Sequence, residues 1–286
     1  MPVAINDIVA FDRYPLDQPG SPQYLAVVHA ARDALRSSGC AVLRDFIQPA
    51  ALRSMSAEIC ARKASTHFST EAINPYFHTE FNPEYPARHP VNTFTERSSG
   101  FIPGDAWQAN TANRILFEDP LLARLLADCL GMECLYPYAD PLAGLTSNIL
   151  EPGQQFAWHF DTNEFAVTVL VDEADEGGLF EYVPNIRSAD AEGFAKIQLV
   201  LEGDRNGVQS LDLRPGDLQI FRGRHSLHRV TRVAAGSRPR HAAILAYTEK
   251  PGVIGRLKRT QQLFGRVLPV HIAAEAQRVR SDELID

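Results

Sequence analysis

The chain has no apolar run of about 18 residues or more, no tract rich in Lys and Arg, and no C-x-x-C pair. Each absence excludes a class of protein. Without such an apolar run, no helix of this sequence is expected to span a bilayer. With 35 Asp and Glu against 28 Lys and Arg, a net charge of -7 offers a nucleic-acid backbone no basic surface. The opening "MPVAINDIVAFDRYPLD" lacks the charged-then-apolar order of a secretory signal, so the expected compartment is the cytoplasm. Cys40, Cys60, Cys129 and Cys134 are too few and too irregularly spaced for a disulfide scaffold, and are expected as reduced core thiols. With 45% hydrophobic residues, 286 positions suffice for a single large domain acting on a small molecule. Whether it pairs as a homodimer is not written in these features.

What is present divides into three textures. Residues 1–135 read as a helical support layer with a lid region. In 21–40, Leu25, Val28, Ala31 and Leu35 form one stripe; in 48–66, Leu52, Met55, Ile59 and Cys60 form another, with "AVLRDF" as a short strand between them. The stretch 67–114 is rich in proline and aromatics without a sustained period, and 76–94 within it is the candidate lid. Asp119, Pro120 and Gly131 punctuate a helix over 119–132. From 136 to 250 eight short β-like runs alternate with Gly/Pro turns and no intervening helix, the pattern of a jelly roll. The expected fold is therefore an all-β core with helical support, a cupin-like double-stranded β-helix preceded by N-terminal helices. Residues 251–286 form a C-terminal helical extension.

Within this β region, "FAWHFDTNEFAVTVLV" (156–171) carries His159 and Asp161 two residues apart, so that in an extended strand both project to one face while Trp158 and Phe160 point to the core. "GRHSLHRVTRV" (223–233) adds His225 and His228. Two histidines and one carboxylate are the facial set that suits non-haem Fe(II) with coordination positions left open. Arg238 and Arg240, at the start of the last run, offer a planar fork for a carboxylate.

H-x-D, H-x-V about 70 residues later and an arginine opening the final strand resemble the Fe(II)/2-oxoglutarate-dependent oxygenase superfamily, in particular its stand-alone enzymes on free amino acids. "GGLFEYVP" (177–184) and "LRPGDLQIFRGRHSLHRV" are similar to that family's conserved-looking strands and turns. The resemblance covers about 145–250. It implies His159, Asp161 and His228 as iron ligands, Arg240 in preference to Arg238 for the distal carboxylate of 2-oxoglutarate, and O2 as co-reactant. Some relatives are halogenases in which a small residue replaces the carboxylate ligand. Asp161 stands at that position, so the resemblance implies hydroxylation of an unactivated carbon, with desaturation or ring formation using the same ligands.

Other polar residues carry weaker expectations. Asn148 suits cosubstrate binding or a plain place in its strand. Asn163 and Glu164 could orient Asp161 or a substrate, or form a solvated turn. His225 could support the ligands, face substrate or serve the fold. Arg187 could hold a substrate carboxylate, and Arg88 and His89 could contact substrate from the lid. Two readings compete: a cupin-type metal enzyme without 2-oxoglutarate, for which a histidine-rich set with glutamate would be usual, and a non-catalytic jelly-roll binding protein.

Overall fold

In the computed structural model, which describes residues 4–276 and 284–285, helices and strands alternate along the chain. The N-terminal part holds α1 (Ile5–Ile8), α2 (Pro22–Ser38), β1 (Cys40–Leu43), α3 (Pro49–Ala61), β2 (His67–Ile73), β3 (Thr95–Ile102), α4 (Ala112–Glu118) and α5 (Pro120–Leu130). There follow β4 (Tyr136–Pro137), β5 (Leu145–Leu150), β6 (Phe156–His159), β7 (Ala166–Asp172), β8 (Phe180–Val183), α6 (Phe194–Leu201), β9 (Gln209–Leu211), β10 (Leu218–Phe221), β11 (Leu227–Val230), β12 (Arg240–Leu245) and β13 (Tyr247–Thr248). The helices α7 (Leu257–Phe264) and α8 (Pro269–Glu275) come last.

Seven strands form one antiparallel sheet in the order β1-β10-β7-β12-β5-β3-β2, and four form a second in the order β6-β11-β8-β9. Together they make the double-stranded β-helix. Alternation along the strands sorts its two faces. Leu145 and Ile149 of β5, Val167, Val169 and Val171 of β7, and Ala243 and Leu245 of β12 pack outward against α2, α3, α4 and α5 in the main core. Their neighbours Thr146, Asn148, Ala242 and Ile244 face the other way, into the barrel.

The helices end where the sequence places their signals. Ser21 accepts the Tyr24 amide ahead of Pro22, and Gly39 closes α2 in the left-handed region at φ 67°. Its buried stripe, however, is Tyr24, Val28, Ala31 and Leu35, while Leu25 is 42% exposed. Tyr24 takes the inner place because its hydroxyl donates to Asp128 Oδ2 at 2.5 Å, which satisfies its polar tip. On α3 the buried stripe is Ala51, Met55 and Ile59, which turns Cys60 outward. Cys60 and Cys134 are exposed, so only Cys40 and Cys129 are core thiols; all four are free.

Two expectations about organisation are corrected. The stretch 67–114 contains β2 and β3, which extend the larger sheet beyond β5 in exact-register antiparallel pairing from His67↔Phe101 to Ile73↔Thr95. β3 is buried from Arg97 to Ile102, and Arg97, Ser98, Ser99 and Gly100 come before Phe101 and Ile102, so most of its buried run lacks the usual strand composition. Gly100 is needed because a Cβ there would lie 2.5 Å from Phe68 and Thr66 side-chain atoms. The second correction is α6, a helix inserted between β8 and β9. Among the described residues no helix is long and apolar enough to cross a membrane.

Candidate active site

Register brings the histidines together. β11 pairs with β6 so that His228 stands opposite His159, with ring centroids 4.0 Å apart. Asp161 lies just past the end of β6, where its amide donates to Gly223 O at 3.1 Å and the chain turns the carboxylate back toward the two rings. Its Oδ1 is 3.8 Å from His159 Nε2 and 3.5 Å from His228 Nε2. Gly223 leaves room for this: a Cβ there would sit 1.8 Å from Asp161 Oδ2.

The second nitrogen of each ring fixes its orientation. His159 Nδ1 donates to Ala157 O at 2.7 Å and His228 Nδ1 to Ser226 O at 3.0 Å, so both Nε2 lone pairs turn toward Asp161. Phe156 at 4.1 Å and Phe77 at 5.3 Å pack on His159, and Phe221 at 4.8 Å packs on His228. In this apolar surround, burial and the neighbouring His228 push the His159 imidazole well below its ordinary range, so it is neutral. Burial acts to raise the Asp161 carboxyl, but His228, His159 and Arg259 outweigh it and hold it low. The neutral His159 imidazole, the His228 ring turned the same way and the ionised Asp161 carboxylate, with ligand atoms within 4.8 Å of one another, are a donor set that suits a divalent iron.

The two candidate arginines separate. Arg240, at the first position of β12, is 6% exposed, shares the inward face with Ala242 and Ile244, and has no carboxylate or hydrogen-bond partner among the described residues. Burial alone pushes its guanidinium down to about 10. A buried cation without a counter-charge is costly, and a dicarboxylate reaching into the barrel would relieve that cost. Arg238 instead lies on the surface, its side chain 72% exposed and paired with Asp175 at 2.8 Å. Its expected part in cosubstrate binding has no geometric support. Asn148 shares the barrel interior with Thr146 and donates to Gly100 O at 3.3 Å.

A cavity of about 540 Å³ opens beside the triad, lined in part by Asp161, Thr162 and Asn163. Of the other expected substrate residues, none borders it. Glu164 faces outward between Arg224 and His225, at 3.4 and 3.2 Å. Arg187 is 3% exposed and away from the cavity: it lies 3.9 Å over the Phe160 ring, donates to Arg224 O and pairs with Glu192. His89 stacks between Tyr85 and Phe194, and Arg88 is exposed. From the candidate lid only Phe77 reaches the cavity.

Several lining residues carry no expectation from sequence. Tyr138 precedes β5, and Arg256, Arg259, Thr260, Leu263 and Phe264 come from the segment leading into α7 and from α7 itself. The basic run "GRLKRT" (255–260), between β13 and α7 and into α7, is the only sequence signal for the two arginines. Arg97 stands fully buried on β3 with its guanidinium 5.8 Å over Phe156, and its Nε and Nη1 have no hydrogen-bond partner.

A double-stranded β-helix holding two histidines and a carboxylate at one mouth, with a buried arginine deeper in the barrel, defines an Fe(II)/2-oxoglutarate-dependent oxygenase. The family model described as Halogenase D matches residues 102–253, more than half of the chain, and the chain belongs to that family. No curated protein matches the sequence significantly. Among solved structures, the fold is similar to an oxidoreductase of the 2OG-Fe(II) oxygenase family from Burkholderia pseudomallei, at 14% identity over 78% of this chain and 91% of that one, with a TM-score of 0.50. It is also similar to AviO1 from Streptomyces viridochromogenes, at 18% identity over 79% and 96% with a TM-score of 0.52. A third is the epimerase SnoN in complex with Fe3+, alpha ketoglutarate and nogalamycin RO, at 14% identity over 78% and 84% with a TM-score of 0.52.

Proposed function

We propose that the protein hydroxylates an unactivated carbon of a small molecule carrying a polar group, such as a free amino acid or natural-product intermediate, in the cytoplasm. The observation that carries this reading is the Asp161 carboxylate, 3.5 and 3.8 Å from the two imidazoles. The family name speaks of halogenation, but the halogenases of the superfamily have a small residue at this position. Here the third ligand place is filled, and a halide has no seat.

In this reading His159 Nε2, Asp161 Oδ1 and His228 Nε2 hold Fe(II), and Arg240 receives the distal carboxylate of 2-oxoglutarate, with Asn148 beside it in the barrel. Bound iron and 2-oxoglutarate supply the oxidising chemistry, consuming O2 and releasing succinate and carbon dioxide. The chain's own part is to keep His159 neutral and Asp161 ionised, to aim the Nε2 of both rings at Asp161, and to surround them with phenylalanines that exclude water. Asn163, on the cavity wall, is the substrate contact retained from the sequence.

Anaerobic visible spectroscopy tests this. The metal-free protein, given Fe(II) and then 2-oxoglutarate, is expected to show a weak metal-to-ligand charge-transfer band that needs both additions. Asp161→Ala should abolish it. Arg240→Leu should demand roughly 30-fold to 1000-fold more 2-oxoglutarate, the cost of losing one partner of a buried charge pair, while Arg238→Ala should behave as wild type. A wild-type protein that binds iron but gives no band would overturn the 2-oxoglutarate assignment. Once a substrate is found, a product gaining chlorine in place of oxygen would overturn hydroxylation.

A further inference from the structure

The outer wall of the cavity is built by the C-terminal segment, and its chemistry is one-sided. Arg256 and Arg259 both line it, and Asp161, already committed to the triad, is the only acidic residue among the described lining residues. Arg259 stands over Phe77, its guanidinium carbon 3.2 Å from the ring centroid, and its Nη2 is 3.4 Å from Thr162 Oγ1, beside Asp161. Phe101, Phe156, Ile244, Leu263 and Phe264 give the lining its apolar body, with the uncharged polar groups of Tyr138, Thr146, Asn163 and Thr260 among them.

This wall is held in place. Asp140, fully buried, accepts the Gly255 amide at 2.7 Å and His271 Nε2–H at 3.0 Å through Oδ2, and the Leu142 and Ala143 amides through Oδ1. Gly255 adjoins Arg256, so the two arginines are presented from an anchored backbone. The volume falls within the range of small-molecule sites, where an apolar body and a few placed polar groups set specificity.

From these observations we infer that the substrate is a carboxylate with an apolar body, its carboxylate received by Arg259 with Arg256 and its hydrocarbon part held among the phenylalanines. This rests on the oxygenase reading and names its substrate class. Carboxylate matches the planar guanidinium fork, and the partly enclosed setting strengthens the pairing. A second cation on the substrate meets two guanidiniums, and among the described lining residues the one acid, Asp161, belongs to the triad. Apolar amino acids therefore fall inside the class, and basic ones fall outside it.

Equilibrium dialysis with three probes, 3-phenylpropanoate, 3-phenylpropanamide and lysine, decides the matter. It is run anaerobically on protein saturated with Fe(II) and 2-oxoglutarate, and again on metal-free protein. The propanoate is expected to bind at least about tenfold more tightly than its neutral amide, a difference worth about 1.4 kcal/mol, and lysine more weakly than the propanoate. Arg259→Gln should erase the acid-over-amide preference, and Arg256→Gln should reduce it. Equal binding of acid and amide, tighter binding of lysine, no binding of any probe, or a preference that survives Arg259→Gln would each overturn the inference. The charge-transfer band recorded on the loaded sample keeps the two failures apart. Its absence refutes the cofactor reading, while the acid–amide comparison in metal-free protein still judges the wall. Should Arg259→Gln fail to fold, the wild-type comparison and Arg256→Gln decide.

Discussion

The barrel interior and the C-terminal wall face each other across one cavity but are held by different physics. His159 and His228 sit on paired strands, where ladder hydrogen bonds, on both sides of β11 and on one side of β6, fix the backbone and alternation fixes the side-chain direction. Residues 253–264 belong to neither large sheet of the barrel. Their position depends on side chains, above all on Asp140, which accepts from four donors and is 0% exposed at its side chain, as is His271. His271 Nδ1 accepts the Leu268 amide at 2.9 Å, so Nε2 carries the proton it gives to Asp140. Chemistry is placed on the rigid ladder and selectivity on the tethered segment, an arrangement in which the wall can vary without disturbing the metal cage.

The sharpest way to break this contrast is to cut the tether. Asp140→Ala leaves four donors without an acceptor inside the protein, a loss on the order of 3–5 kcal/mol for a buried charged partner. The expected outcome is local: hydrogen exchange of amides in 253–275 should accelerate at least about 100-fold, while those of β5, β7 and β12 keep their protection. Uniform acceleration across the barrel would mean that wall and barrel are one cooperative unit, and the contrast would fail.

The same division decides what the sequence reveals. The iron-ligand candidates were legible because they stand in short motifs: strand pairing sets His159 opposite His228, while Asp161, two residues on, lies past the end of β6 and is held there by its bond to Gly223. Arg240 was separable from Arg238 by its place in the strand, and the structure puts one in the barrel and the other on the surface. The lid residues Arg88 and His89, and Arg187, were less legible: each is polar and plausible in sequence, but their partners, such as Phe160 beneath Arg187, come from distant segments. β3 was hidden because its buried run ahead of Phe101 and Ile102 is Arg, Ser, Ser and Gly, whose burial depends on neighbours no periodicity displays. The arginines of the wall were hidden for a related reason: Arg256 precedes the short helix α7 and Arg259 lies on it, and the groups Arg259 faces, Phe77 and Thr162, come from distant segments.

A smaller effect is expected from Gly223→Ala, which sharpens the contrast from the barrel side. The φ of Gly223 lies outside the left-handed region, so alanine meets no backbone strain, but its Cβ would fall 1.8 Å from Asp161 Oδ2. The carboxylate must swing away from the two imidazoles. Iron affinity should fall roughly 10-fold to 100-fold, in the range seen when groups supporting metal ligands are lost, with the exchange pattern of 253–275 unchanged. Fe(II) titration followed by the charge-transfer band reads this directly. Wild-type affinity would show that Asp161 is not held by the Gly223 turn, and that the cage is looser than its strands suggest.

The smallest effect concerns the far edge of the second sheet, where a charge cluster stands within the ladder. Glu181 on β8 accepts from Arg205 at 2.5 and 3.0 Å and from Arg229 Nε at 2.7 Å. Burial acts to raise its carboxyl, but the hydrogen bonds and charges of the two arginines outweigh it and hold it below its ordinary range. The folded protein therefore refuses a proton that the unfolded chain accepts near pH 4. The stability from Glu181 is fully present above that pH and is lost as pH falls through the lower, folded value. Because Arg205 is half exposed, the contribution is kept to about 1 kcal/mol. Urea unfolding at pH 7 and pH 4 should show Glu181→Gln less stable than wild type at pH 7, with the gap narrowing at pH 4. A gap of the same size at both values would assign Glu181 to hydrogen bonding and packing instead of charge. The ladder around His228 would then be held without help from electrostatics, and the contrast with the Asp140-tethered wall would be stronger still.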